Sequence, residues 1–232
     1  MFGKNVIVRL LSKEERTAKF DHSAAMDEIQ RPTQLGLKAF GFRWQRRIFN
    51  RTLPDGLVHI VAFQMGAAPL SGYEISQLRP NLYGKFTIEL GVVIPRLVEL
   101  QWAPKPPPRF LSHGHAQMRL RLGHLTDGGD TWWSLQPTPN TIGDETWGRV
   151  HTKALPFLDA FTSHGAIADF FAQHHKLPGT TVAGAALAAA MAGFVSGKTE
   201  SARKAIAAAR SFGGDKPAFL ERLAQIEQLL PQ

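Results

Sequence analysis

Along residues 86–92 apolar and polar positions take turns. Phe86, Ile88, Leu90 and Val92 fall on one side of an extended chain, and Thr87, Glu89 and Gly91 on the other. A period of two predicts a strand, which Pro95 brings to an end. Residues 116–123 repeat the pattern, with Met118, Leu120 and Leu122 opposite Gln117, Arg119 and Arg121. Residues 42–53 read as another strand, with Trp44 and Ile48 on one side and Arg43, Gln45 and Arg47 on the other. The turn chemistry of Pro54-Asp55-Gly56 then leads into the apolar run 58–65, which predicts an antiparallel hairpin.

Elsewhere the period lengthens to that of a helix. Residues 26–42 read as a helix that Pro32 kinks or restarts, with Leu37 and Phe40 on one face and Gly41 as its left-handed stop. Residues 66–83 lack a period and read as a loop, and the prolines of 103–110 form a stiff connector. From Asp144 the helical period takes over. Trp147, Val150, Leu155, Leu158 and Phe161 share a face interrupted at Pro156, and residues 165–175 make a second helix. Beyond Pro178-Gly179 come three alanine-rich stretches, near 181–195, 199–212 and 216–230.

These elements predict an α+β fold, with an antiparallel four- to five-stranded sheet packed against helices over residues 26–163. An N-terminal arm, 1–25, precedes it. An alanine-rich helical segment, 164–232, follows and either docks on the sheet or projects towards a partner.

Composition narrows the chemistry. The 232 residues include no cysteine, which excludes disulfides, thiolate metal sites and cysteine nucleophiles. A net charge of +8 favours anionic partners. The basic residues are nevertheless scattered, and the densest group, 43–47, is short, so a solvated basic surface is the plainer reading. No apolar run approaches the roughly 18 residues of a membrane span, and the first residues lack the pattern of a signal peptide. The expectation is a cytoplasmic protein with no membrane contact.

The strand phases suggest where a site would lie. With Met118, Leu120 and Leu122 towards a core, Arg119 and Arg121 project together from the opposite sheet face, where Glu89 also points. Arg43 and Arg47 join them if the first strand is in phase, and Trp132 and Trp133 follow the turn at 126–130. Guanidinium forks bind carboxylate and phosphate at two points, so this face is the candidate binding surface. Its plainer reading is a cross-strand ion-pair network. Trp132 and Trp133, as neighbours on extended chain, point opposite ways: one into the core, the other over Arg119 or Arg121.

His113-Gly114-His115 has a spacing that chelates metal, and His124, Asp127 or Asp130 would supply a third ligand. Two histidines in a Pro/Gly-rich loop are more often simply solvated, so no metal and no cofactor is expected. No G-x-S-x-G elbow, Walker loop, dinucleotide fingerprint or H-E-x-x-H motif occurs.

Five pieces in fixed order carry a resemblance: "LKAFGFRWQRRIFNR" at 37–51, "HIVAFQ" at 59–64, "FTIELGV" at 86–92, "RLRLGHL" with "WWSL" at 119–135, and "LPFLDAF" at 155–161. Over about residues 26–163 the chain resembles a bacterial domain-of-unknown-function family. The resemblance implies a compact α+β domain with an antiparallel sheet and, since the family has no established activity, assigns no residue a role. Glu89, where an uncharged polar residue is commoner, and Pro32 in the first helix depart from the family pattern.

Three functions follow in order. The first is a non-enzymatic protein-interaction module of a bacterial cytoplasmic protein, meeting a protein partner or a second copy of itself. The second is a nucleic-acid- or phosphate-binding protein using Arg43, Arg46, Arg47, Arg119 and Arg121, though no nucleic-acid-binding motif supports it. The third is a metal-dependent hydrolase centred on His113, His115, His124 and Asp130.

Overall fold

A computed structural model describes residues 20–67, 82–136, 139–174, 176–213 and 216–230. Most of the predicted arm, and the loop expected at 66–83 apart from its ends, lie outside the described residues.

Helix α1 (His22–Ala39) starts four residues ahead of the predicted Met26 because the Asp21 carboxylate caps it, accepting the N–H groups of Ser23 and Ala24. It runs unbroken through Pro32 and buries Met26, Ile29, Thr33 and Leu37 as a stripe. Phe40 lies outside that stripe, half-exposed, and Gly41 (φ +80°) turns the chain away.

The sheet follows as β1 (Arg43–Gln45), β2 (Ile48–Thr52), β3 (Val58–Met65), β4 (Lys85–Val93), β5 (Met118–Arg121) and β6 (Trp133–Ser134). It is antiparallel throughout, in the order β1-β2-β3-β4-β5, with β6 paired to β4 beyond the end of β5. The segment 42–53 expected as one strand is therefore two. Arg46 adopts a left-handed backbone (φ 55°), reverses the chain, and pairs Trp44 with Phe49 and Gln45 with Ile48. Directly paired residues share a face, so Trp44 and Ile48 lie on opposite faces, contrary to the sequence reading. The 53–57 turn does join β2 to β3, closed by Leu53 N–H to Leu57 O at 2.9 Å with Gly56 at φ +85°.

Pro95 ends β4 and also begins a helix, α2 (Pro95–Trp102), at the first-turn position where its missing N–H costs nothing. A short 3-10 turn (His113–His115) leads into β5, and α3 (Gly123–Thr126) follows it. Helix α4 (Pro139–Arg149) widens into a π turn (Val150–Ala154) before α5 (Leu155–Asp159). The wide turn lies just ahead of Pro156, whose ring and absent N–H disrupt the regular ladder. Helices α6 (His164–Gln173), α7 (Val182–Val195), α8 (Thr199–Gly213) and α9 (Pro217–Leu229) complete the chain.

Both faces of the sheet are covered, unequally. Phe49, Val61, Phe63, Phe86, Ile88, Leu90 and Val92 face the larger core, which includes α1 and continues through Leu187 and Met191 of α7 to Ile226 of α9. Of the alanine-rich helices, α7 meets the sheet at β5, and α8 and α9 pack on α7. The other face carries a smaller core of Val58, Ile60, Ala62, Val93, Val98, Leu111 and Ala116. Gly91 admits that layer, since a Cβ there would lie 2.7 Å from Ala116 Cβ.

The segment entering α7 closes the outer edge of β5. The Thr180 hydroxyl accepts the Arg119 N–H at 3.0 Å. A Cβ on Gly179 would lie 2.5 Å from the Arg119 carbonyl oxygen. No helix among the described residues is long and apolar enough to cross a membrane.

Candidate functional site

The smaller-core face ends in a polar floor. Register places Gln64 beside Thr87, the row Ala62–Glu89–Arg121 next to it, and the row Ile60–Gly91–Arg119 beyond. Alternation fixes this: Leu120 and Met118 are buried on the large core, so Arg119 and Arg121 emerge on the other side. Above them lies a cavity of about 360 Å³ walled by His113, His124, Asp130 and the Pro178-Gly179 turn. Its size is that of a small-molecule site.

Two arginines on this floor live differently. Arg121 donates from Nε to Glu89 at 2.8 Å and from Nη1 to Asp130 at 2.5 Å. Its guanidinium lies 5.2 Å from the Trp132 ring centroid. Burial works against its charge, but the hydrogen bonds to Asp130 and Glu89 prevail and raise its pKa above the ordinary arginine value. Arg119, two residues earlier, makes no side-chain hydrogen bond or ion pair with a described residue, and its Nε is buried without a partner. The Gln64 carbonyl oxygen is buried without a partner too. An unsatisfied buried polar group costs about 1–3 kcal/mol, and both cavity ends carry one.

The other predicted site residues separate. Arg43 lies exposed on β1, at the far edge of the sheet from Arg119. Arg47 reaches α1, donating to Ser23 Oγ at 2.9 Å and Asp27 at 3.3 Å. Trp133 points to the large core, 5.7 Å from Phe86, and Arg149 lies over it at 5.4 Å. His115 is turned aside, its Nδ1 accepting the Ser112 N–H at 3.0 Å and its ring against Trp102. Among the described residues no group of three or more His, Asp or Glu is placed to hold a metal ion.

Sequence reasoning did not reach a second polar cluster, on the large-core side. His59 is fully buried on β3, with Nε2 2.8 Å from the Phe161 carbonyl oxygen and Nδ1 2.8 Å from Arg51 Nη2. Those partners assign it the tautomer that donates from Nε2 and accepts at Nδ1. Burial lowers its pKa to about 4, against the raising effect of the Phe161 bond. Arg51 also pairs with Asp159 and stacks on Phe42 at 4.9 Å. Nearby, Asp55 accepts both the backbone N–H and the ring Nδ1–H of His164 at 2.6 Å. The backbone bond leads in pulling the Asp55 pKa below its ordinary value, against partial desolvation. These groups tie the β2–β3 turn and the sheet to the start of α6.

A second cavity, about 230 Å³, opens on the large-core side against Ile88, Leu122, Trp133 and Ile142. It is mainly apolar, and Arg149 at its rim pairs with Asp127 at 3.6 Å. The polar cavity is the better candidate site because its charged groups converge and part of their bonding capacity is unused.

Residues 35–160, more than half of the chain, match the family model described as Domain of unknown function (DUF4304), and the chain belongs to that family. No curated protein and no solved structure matches the chain.

Proposed function

We propose that this family member is a non-enzymatic protein-binding module of the bacterial cytoplasm, and that its polar sheet-face cavity captures an acidic side chain of its partner. One observation carries the reading: Arg119 has a buried Nε without a partner and no ion pair among the described residues, beside Arg121, which two carboxylates hold. A planar fork of unused donors suits a carboxylate bound at two points. The net charge of +8 draws acidic partners towards it. An acetylated and amidated peptide of alternating glutamate and glycine is the probe. Calorimetric titration is expected to show binding that weakens about tenfold or more in Arg119→Gln, the loss of one charge-assisted anchor, and that survives in Arg43→Gln. Equal affinity of Arg119→Gln and the parent protein would sink the reading.

The nucleic-acid alternative has less support, since Arg43 and Arg47 lie apart from Arg119 and Arg121 is already held. The hydrolase alternative draws on His113, His124 and Asp130 lining one cavity. Against it, Asp130 is bound to Arg121 and His115 to Ser112. Metal in stoichiometric amount in the purified protein would revive it.

A further inference from the structure

The charges around the polar cavity, Arg119 and Arg121 against Glu89 and Asp130, sum to zero but are unevenly paired. Arg121 faces two carboxylates, Glu89 and Asp130, and offsets one of them. Arg119 lines the same cavity, with a buried Nε that has no partner and no ion pair among the described residues. The cavity is thus two-ended, with one positive end in search of an anion and one negative end in search of a cation. The buried and unpartnered Gln64 carbonyl lies beyond the Glu89–Arg121 row as seen from Arg119, and His113 and His124 line the same cavity.

From these observations we infer that the cavity binds a free α-amino acid, with its carboxylate on Arg119 and its ammonium on the Asp130–Glu89 side. The inference rests on the reading of Arg119 as an anion anchor and adds the second charge. An α-amino acid is the smallest zwitterion able to serve both ends: its nitrogen and carboxylate are about 3 Å apart by covalent geometry, and each charge takes a charge-assisted hydrogen bond of about 2.8 Å. The ligand's side chain then lies towards Gln64, whose carbonyl accepts a hydrogen bond, so amide and hydroxyl side chains are favoured over apolar ones. A cavity of about 360 Å³ accommodates such a molecule with water to spare.

The test is calorimetric titration of the full chain with each of the twenty free L-amino acids, alongside the acidic peptide probe. At least one amino acid is expected to bind with a Kd below about 1 mM. N-acetylation of that amino acid, or conversion of its carboxylate to the amide, is expected to weaken binding about tenfold or more. Arg119→Gln and Asp130→Asn are each expected to do the same while melting as cooperatively as the parent. If either variant fails to fold, the two blocked ligands on the parent protein decide the matter. Equal binding of the N-acetylated form overturns the inference, because the cavity would then read an anion alone. Binding of the acidic peptide with no amino acid bound at about 10 mM also overturns it and leaves the anion reading standing. Loss of both removes both.

Discussion

The two faces of the sheet bury charge in opposite ways. On the large-core face, Arg51, His59, Asp159 and the Phe161 carbonyl bond to one another and both ring nitrogens of His59 are used; the Arg51 Nε is buried without a partner, but its Nη2 is held by His59 and Asp159. On the other face Glu89, Arg121 and Asp130 make a similar closed group, yet Arg119 and Gln64 beside them are left open. A network whose arginine is held by an ion pair ties elements together, here the sheet to the chain leading into α6. A network left open in a cavity has capacity for something outside the chain. The difference separates a structural cluster from a binding one without appeal to residue type, since both contain arginine, carboxylate and histidine.

Four measurements break or sharpen that contrast. The largest effect is expected from the apolar floor of the closed side: Phe86→Ala should cost about 3–5 kcal/mol in urea unfolding, since Phe86 is fully buried between Phe63 and Trp133.

Next comes acid. His59 takes up its proton near pH 4 in the folded chain and near 6.5 in the unfolded one. Between those values the unfolded chain binds more protons. Stability is therefore complete above about pH 6.5 and falls by on the order of 3 kcal/mol as pH drops towards 4. The fall should flatten in His59→Gln. The contribution of Asp55, whose pKa is lowered by folding, is present above 3.8 and is lost only below it, so the two windows can be told apart in one pH series.

A smaller cost, about 1–3 kcal/mol, is expected for Arg121→Gln, which leaves the buried Glu89 carboxylate without its partner. Smallest of all is Arg119→Gln, expected within about 0.5 kcal/mol of the parent. A large destabilisation there would place Arg119 among the structural arginines and erase the contrast between the faces.

The core of this contrast was legible in the sequence. Alternation over 86–92 and 117–122 put Glu89, Arg119 and Arg121 on one face, and the register pairs Glu89 with Arg121. What escaped has physical reasons. The reversal at Arg46 has no glycine or asparagine to mark it, because an arginine takes the left-handed backbone. Pro95 is both a strand stop and a helix start, and the sequence pattern favoured only the first. Gln64 belongs to the cavity through the pairing of β3 with β4, which the apolar run 58–65 does not phase. The closed cluster unites residues about a hundred positions apart, as with His59 and Phe161. No local pattern records such a contact.

The Thr180 hydroxyl that takes up the Arg119 N–H has a consequence for how visitors reach this protein. A guest strand approaching β5 would find that docking point occupied and the bulk of the Pro178-Gly179 turn in its way. Recognition on this flank must then proceed through side chains entering from above, and the sheet cannot be lengthened there into a shared ribbon.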